Sequence, residues 1–258
     1  MSITTTVIES RDDYLVVRFE GADAAYINTL RRFAMTEVPT LAVERVEYGK
    51  NNSIMYDEML AHRIGLLPIS TDLAGYNEKE VHGEPGNPSN EVQLTLKVAK
   101  AKDKHVVTAG EFTTSDPKVK PVQAGMPLTT LLEGQELELV AYAELGRGKE
   151  HMKWSPCLAT HKHYPHITIT KQPKNASKVA ERYPGVFDVK GDKLAVAHNG
   201  GAYLPDVELD LDDGEATVEH RDDFILEIES WGQLPAKTIL EEALKRYSEE
   251  LEVFAKTL

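Results

Sequence analysis

The last segment of the chain carries a regular apolar pattern that constrains the fold more than any other feature of the sequence. Pro235 stands where the first turn of a helix tolerates a missing N–H, and apolar residues then recur in alternating steps of four and three. These residues, called the seam below, are Leu240, Leu244, Tyr247, Leu251, Phe254 and Leu258. Ile239 and Ala243 form a second apolar stripe beside the seam. Two stripes favour one face for the domain itself and one for a partner helix, although a seam used wholly within the domain is the alternative.

The rest of the sequence mixes strands with short helices, so the predicted fold class is α+β. TTTVIES and YLVVRFEG flank a polar turn and predict a β-hairpin. DAAYINTLRRFAMTEV predicts a helix that Asp23 caps and that ends before Pro39. Residues 71–91 are rich in Gly, Pro and Asn and predict a long loop, which a mainly β block follows.

The region after this β block is less regular. ASKVAERY predicts a short helix, and GVFDVKGDKLAVAH predicts a pair of strands. Val207, Leu209 and Leu211 alternate with acidic residues and predict an edge strand. DDFILEIES then predicts a strand that leads into the last helix.

Composition excludes several classes of protein. Among 258 residues, 42 are acidic and 29 are basic, and the net charge of -13 disfavours direct binding to nucleic acid. No apolar stretch approaches the roughly 20 residues that span a bilayer, and the N-terminus does not resemble a signal peptide, so we expect a cytoplasmic protein. Cys157 is the only cysteine, which excludes an intramolecular disulfide and an all-cysteine metal site.

A His-Arg pair lies in the segment DEMLAHRIG, which predicts a short helix. Asp57 is a candidate N-cap, Leu60 and Ile64 form an apolar pair, and Gly65 occupies the position of a left-handed C-cap. His62 and Arg63 are roughly 100° apart around the helix axis, so at least one of them should point outward.

Four histidines offer a candidate site for catalysis. They lie within GKEHMKWSPCLATHKHYPHITITK, where they could ligate zinc or nickel in a metal-dependent hydrolase. These residues are His151, His161, His163 and His166. His161 and His163 alternate and should share one face of a strand, so surface histidines without a metal are the simpler interpretation. No P-loop, dinucleotide fingerprint, nucleophile elbow or H-E-x-x-H motif is present.

Two long motifs and the C-terminal segment resemble a known family. They are NTLRRFAMTEVPTLAVERVEY at 28–48, NNSIMYDEMLAHRIGLLPIS at 51–70 and SWGQLPAKTILEEALKRY at 230–247. Together they resemble the D subunit of archaeal RNA polymerase. That family is the counterpart of the third subunit of eukaryotic RNA polymerase II and of the N-terminal domain of the bacterial alpha subunit.

The resemblance implies a non-catalytic subunit on which a polymerase assembles. Magnesium-binding carboxylates would belong to the two largest subunits, and this chain would make little or no contact with DNA. The implied fold is a dimerisation domain built from both chain ends (1–40 and 221–258), with an inserted mainly β domain at 41–170. A small L-type subunit would pack on the first and last helices, and other small polymerase subunits would be further partners.

The resemblance also implies two sets of interface residues. Those facing the small subunit would be Ile27, Leu30, Ala34, Leu244, Tyr247, Leu251 and Phe254, with the division between self-packing and partner-packing left open. Those docking the second-largest subunit would be Arg31, Arg32, His62 and Arg63. Arginines suit charge-assisted contacts, either with this chain's own carboxylates or with those of another protein.

One region departs from the family pattern. Many archaeal D subunits carry an additional ferredoxin-like domain whose cysteines bind an iron-sulfur cluster, and ERYPGVFDVKGDKLAVAH resembles part of it. Tyr183 stands where one of these cysteines would be. We therefore expect a ferredoxin-like remnant at 171–220 without a cluster. The zinc-binding cysteines of eukaryotic relatives are absent from 71–91 as well, so we expect no cofactor and no metal.

Overall fold

The structure is a computed structural model that describes residues 3–78, 91–205 and 209–257. The chain forms two compact units, and each is assembled from separate parts of the sequence. The first unit consists of Met1–Ser10, Leu15–Arg31 and Thr160–Ile228, and the second consists of Arg11–Tyr14, Arg32–Ala159 and Glu229–Leu258. The expected division at 1–40, 41–170, 171–220 and 221–258 stays a prediction.

Within these ranges the chain forms both α-helices and strands. The α-helices are α1 (Ala24–Thr36), α2 (Asp57–Gly65), α3 (Ala176–Arg182) and α4 (Ala236–Thr257). The strands are β1 (Thr4–Ser10), β2 (Tyr14–Glu20), β3 (Pro39–Asn51), β4 (Glu91–Val98), β5 (His105–Thr108), β6 (Thr113–Thr114), β7 (Pro127–Leu131), β8 (Leu137–Arg147), β9 (Cys157–Lys171), β10 (Phe187–Lys190), β11 (Lys193–Val196) and β12 (Glu215–Ser230).

The first unit is built on a four-stranded sheet with the order β1-β2-β12-β9. β1 and β2 form the predicted hairpin, and the register shifts between Val7 and Glu9. Leu15 and Val17 are buried, as their alternation predicts, but Val16 between them is buried as well. β2 is therefore covered on both faces and does not form an outer layer.

A smaller group of elements in the first unit has a core of its own. α3 and the antiparallel pair of β10 and β11 occur where the sequence predicts a short helix and two strands. Their buried side chains are Ala176, Val179, Tyr183, Val186, Phe187, Leu194 and Leu211. Leu209 and Leu211 lie outside any strand because Leu211 is drawn into this core, so the predicted edge strand is wrong there. Val207 and Glu208 lie outside the described residues.

The second unit contains an antiparallel sheet with the order β3-β8-β4-β6 and a separate antiparallel pair of β5 and β7. Leu94, Leu96 and Leu139 are among the buried side chains on the strands, and Leu60 and Ile64 of α2 join the same core. The apolar pair predicted on α2 thus anchors the helix. Residues 79–90 of the predicted loop lie outside the described residues.

The capping residues predicted from the sequence are correct for the start of α1 and wrong for both ends of α2. The backbone N–H of Tyr26 donates to Oδ1 of Asp23 at 2.7 Å, so Asp23 caps α1 as predicted. In α2 the N-cap is Tyr56 rather than Asp57, which lies in the first turn. Gly65 is the last helical residue and does not take the expected left-handed conformation, because Leu66 ends the helix with φ −90° and ψ 3°.

This arrangement confirms the α+β fold class. Helices and antiparallel strands occur in one chain, and in the second unit α2 packs against the sheet strand β3. No helix in the described ranges combines the length and the apolar character needed to cross a membrane.

Candidate interaction surfaces

The C-terminal half of α4 extends beyond the packed part of the second unit. Ile239, Leu240 and Ala243 are buried, and from Leu244 to Thr257 no side chain is. Leu251 is 49% exposed and Phe254 is 60% exposed, although both are large and apolar. The stripe formed by Ile239 and Ala243 is therefore covered, and the outer part of the seam is accessible. Leu258 lies outside the described residues.

A group of charged side chains holds the middle of α4 in place. Nε of Arg246 donates to Oε1 of Glu242 at 2.9 Å, and its Nη2 contacts Oε1 of Glu78. Burial opposes the charge on Arg246, but the hydrogen bonds to Glu242 and Glu78 raise the pKa of its guanidinium. Next along the helix, the ring of Tyr247 meets the ring of Phe33 edge-on, with centroids 5.2 Å apart and planes at 67°. The exposed half of α4 thus begins near Tyr247, whose ring is held by its contact with Phe33.

A groove of about 490 Å³ runs beside this exposed half. Val253 and Phe254 supply apolar walls, Arg147 and Arg246 lie within the groove, and acidic side chains complete its lining. The full lining is Glu37, Arg147, Arg246, Glu249, Glu250, Val253, Phe254 and Thr257. Exposed apolar surface bordered by charged residues is typical of a protein–protein contact.

The interface residues expected on α1 are buried, unlike those on the outer half of α4. Ile27, Leu30 and Ala34 each have a relative exposure of 0%. In the folded chain these side chains are buried, and their expected role at the interface with the small subunit stays a prediction. The outer seam residues Leu251 and Phe254 on α4 are thus exposed, whereas the expected interface residues on α1 are not.

α2 presents a second accessible surface. His62 and Arg63 are both exposed, which confirms that at least one points outward. Nη2 of Arg63 donates to the backbone carbonyl of Pro127 at 2.8 Å, so the guanidinium is held at the surface. Tyr48 donates to the backbone carbonyl of Asp57 at 2.9 Å, and burial, aided by Asp57 and Glu58, raises the pKa of Tyr48 to about 12.

Four large apolar side chains in or next to α2 are also exposed. They are Ile54, Tyr56, Met59 and Leu66, and Ile54 reaches 88% exposure. Sequence reasoning missed this group because its members span the helix and both flanks, and an apolar residue at helical spacing does not reveal by itself whether another element covers it. Together with His62 and Arg63 they form what we call the α2 surface, which is largely apolar with a cationic component.

Arg31 and Arg32 have different surroundings although they are neighbours on α1. Nε and Nη2 of Arg31 donate to Oδ1 of Asn28 at 3.1 and 3.0 Å, and its side chain is half-buried. Arg32 is exposed. Arg32 is the better placed of the two for an external contact. That Arg31 and Arg32 share one docking surface with His62 and Arg63 stays a prediction.

The four candidate metal-binding histidines do not converge. His151 belongs to the second unit, where its Nδ1 accepts from the N–H of Lys153 at 3.1 Å. The rings of His163 and Phe224 are tilted against each other, with centroids 4.3 Å apart. Nε2 of His166 lies 2.7 Å from Oδ2 of Asp223.

The surroundings of His161 also disfavour a charged ring. Burial, and to a lesser extent the charges of Arg31 and His163, lower the pKa of His161. Across the described ranges no group of three or more His, Cys, Asp or Glu side chains is arranged to hold a metal ion. The hydrolase alternative therefore has no support.

Tyr183, for which the family resemblance implied a cysteine, has a structural role. Its ring packs edge-on against Phe187 with centroids 6.1 Å apart. Its hydroxyl accepts a hydrogen bond from the backbone N–H of Asp210 at 2.9 Å. An aromatic ring and a hydroxyl therefore take up the space in this small core. The absence of a cluster stays a prediction.

Comparison with known proteins identifies the family of the chain. The family model described as the RNA polymerase Rpb3/RpoA insert domain matches residues 44–158. DNA-directed RNA polymerase subunit Rpo3 of Methanosphaera stadtmanae is 40% identical over 74% of this chain and 73% of its own. The Rpo3 subunit of Pyrobaculum calidifontis is 33% identical over 98% and 95%, and that of Pyrococcus furiosus is 30% identical over 94% and 92%. The chain thus belongs to the Rpo3 family of archaeal DNA-directed RNA polymerase subunits.

Proposed function

We propose that this chain is a non-catalytic assembly subunit of a DNA-directed RNA polymerase and has no enzymatic activity on its own. Membership of the Rpo3 family implies that its partners are other polymerase subunits. The observation that carries the proposal is the outer half of α4, which is anchored at Tyr247 and leaves Leu251 and Phe254 exposed. Apolar side chains on a fixed helix suit a permanent partner.

The partner on α4 is a small L-type subunit. Steps of three and four along the seam match a second helix packed side by side with α4. Leu244, Leu251 and Phe254 would supply the direct contacts, with Tyr247 at the inner end. Ile27, Leu30 and Ala34 would act indirectly, by forming the core that supports α1. The two chain ends would in this way build the dimerisation domain, with the mainly β domain inserted between them.

The α2 surface docks the second-largest subunit. The exposed apolar group at Ile54, Tyr56, Met59 and Leu66 supports an interface whose centre is apolar. His62 and Arg63, with Arg32 and the less accessible Arg31, would add charge-assisted contacts around it. Other small subunits would occupy remaining surfaces, DNA would make little or no contact, and no cofactor would be needed.

Co-purification with the small L-type subunit tests the α4 contact. The variant Leu251→Asp/Phe254→Asp places two charges on the seam and should abolish recovery of the small subunit. Val189→Asp/Val218→Asp is the matched control, since it changes two exposed apolar residues of the first unit. Recovery should persist with the control, and both variants should melt like the wild type. Undiminished recovery with the seam variant would refute the proposal.

Reconstitution with the large subunits tests the α2 surface separately. Ile54→Asp/Met59→Asp and His62→Ala/Arg63→Ala should each lower incorporation of the second-largest subunit while leaving the small subunit bound. Leu132→Asp is the control, because Leu132 is also exposed on the second unit. If both α2 variants assemble as well as the control, docking does not use this surface.

A further inference from the structure

A lysine-rich loop stands out against the acidic character of the chain. The loop joins β4 to β5, and together with the adjoining strand ends it reads KVAKAKDKH from Lys97 to His105. Lys100, Lys102 and Lys104 are exposed, and no ion pair links any of them to another described residue. Against these three lysines the loop itself carries one acidic residue, Asp103. A local excess of positive charge therefore exists in a protein whose net charge is -13.

The backbone of this loop is tied to the body of the second unit. The N–H of Ala101 donates to the carbonyl of Gln135 at 2.9 Å, and its carbonyl accepts from the N–H of Gly134 at 2.8 Å. The methyl group of Ala101 packs against the core of the same unit. Because Ala101 lies between Lys100 and Lys102, the lysine side chains project from a fixed backbone, and less order has to be created when a ligand binds.

The loop also borders a shallow depression of about 490 Å³, whose lining includes Lys97, Lys102 and Lys104. Two carboxylates also line it, those of Asp103 and Glu111. Glu111 is already engaged, because its Oε2 contacts Nε2 of His105 at 2.9 Å. Its Oε1 accepts from the N–H of Thr108 at 2.7 Å.

Lys97 is engaged in a comparable way, by Glu138 at 3.0 Å. Lys102 and Lys104 are thus left to attract an anionic ligand, together with Lys100 beside the depression.

We propose that the surface formed by Lys100, Lys102, Lys104 and this depression docks an acidic segment of a neighbouring protein. Several carboxylates on a short peptide match several ammonium groups on a short loop. This docking site is independent of the α4 and α2 surfaces.

Nucleic acid fits the site less well. The residues that line the depression include no Phe, Tyr or Trp on which a base could stack, and the imidazole of His105 is held by Glu111. They also include no arginine that could clamp a phosphate with two parallel hydrogen bonds. A long polyanion would also extend past the loop onto a chain with net negative charge. A short acidic peptide segment avoids that repulsion.

Binding of fluorescein-labelled decaglutamate to the full-length chain, followed by fluorescence anisotropy at low salt, tests this proposal. Lys100→Glu/Lys102→Glu/Lys104→Glu should weaken binding at least about tenfold, which corresponds to about 1.4 kcal/mol. The matched control is Lys190→Glu/Lys193→Glu/Lys256→Glu, since these lysines are also exposed and the net charge changes equally. The control should weaken binding less than about twofold, and binding to wild type should fall as salt rises.

Two further measurements make the outcome decisive. Lys100→Gln/Lys102→Gln/Lys104→Gln removes the charges without reversing them and should also lose binding while melting like the wild type. Decathymidylate, a nucleic acid of comparable charge, should bind more weakly than decaglutamate. Equal losses in the loop variant and the control would show that only net charge matters and would overturn the proposal. Tighter binding of decathymidylate would overturn it in favour of a nucleic-acid site.

Discussion

The carboxylate of Glu78 bridges two arginines, binding Arg147 through one oxygen and Arg246 through the other. Nε and Nη2 of Arg147 lie 2.6 and 2.5 Å from Oε2, and Nη2 of Arg246 contacts Oε1. Glu78 also forms an isolated β-bridge with Leu145, so its backbone is fixed as well. One side chain thereby connects strand β8 to helix α4.

Glu78→Gln should lower the free energy of unfolding by about 1–2 kcal/mol, because two partly buried arginines lose their charged acceptor. Urea unfolding of the purified chain measures this change. Glu150→Gln, at an exposed glutamate, is the control and should leave the midpoint unchanged. Co-purification of the small L-type subunit should also decrease in Glu78→Gln if the bridge orients α4. Equal stability of the two variants would show that the bridge contributes nothing.

The edge-on contact of Phe33 and Tyr247 should appear as an energetic coupling. In a double-mutant cycle, Phe33→Leu and Tyr247→Leu should together cost about 0.5–1.5 kcal/mol less than the sum of the single changes. Urea unfolding of the four proteins gives the coupling energy. Pairing Phe33→Leu with Phe254→Leu is the control, since Phe254 is 60% exposed. Additivity in the first cycle would mean that the ring contact does not stabilise the chain.

Local patterns in the sequence predicted the elements more completely than the surfaces. The β1–β2 hairpin, the Asp23 cap and the buried stripe at Ile239 and Ala243 depend on nearby residues, and the structure contains all three. Arg147 and Arg246 meet Glu78 across 69 and 168 residues of sequence, a separation over which no periodicity operates. Contacts between residues so far apart in the sequence depend on how the elements pack.

The predictions that were wrong failed because packing between elements overrides local sequence signals. Gly65 did not take a left-handed conformation because the helix ends at Leu66 without needing one. Leu211 alternates with acidic neighbours like a strand residue, yet the small core around Tyr183 takes it up. The exposed group around Ile54 could not be distinguished from core residues by composition, because apolar residues are buried only where a second element covers them.

The thiol of Cys157 should be inert in the folded protein. It is 1% exposed, its Sγ donates to the carbonyl of Ala34 at 3.5 Å, and burial raises the pKa of Cys157 to about 12. At pH 8 the group is therefore a protonated, inaccessible thiol rather than a nucleophilic thiolate. A thiol-specific dye should react at least about a hundredfold more slowly with native protein than with protein in urea. Rapid labelling of the native chain would show that this part of the second unit opens frequently.

The stability of the first unit should depend on pH through Asp223. Burial alone would raise the pKa of this carboxyl, but hydrogen bonds from Arg18 and His166 outweigh it and lower the pKa below its ordinary value. Oδ2 of Asp223 lies 3.0 Å from Nη2 of Arg18 and 2.7 Å from Nε2 of His166.

A carboxyl with a lowered pKa in the folded state contributes stability above its unfolded pKa, and this contribution disappears as the pH falls through the folded value. Asp223→Asn should therefore destabilise the chain by about 1–3 kcal/mol at pH 7, since Arg18 and the ring of His166 lose a partly buried partner.

Urea unfolding at pH 7 and at pH 3 compares the variant with the wild type. The difference between their midpoints should shrink at pH 3, because a carboxyl with a lowered pKa begins to lose its contribution to stability once the pH falls below its unfolded pKa. Glu219→Gln is the control and should show no such difference at pH 7, since the side chains of Glu219 and its partner Arg221 are both largely exposed. A difference between Asp223→Asn and wild type that is as large at pH 3 as at pH 7 would mean that shape, and not charge, accounts for the role of Asp223.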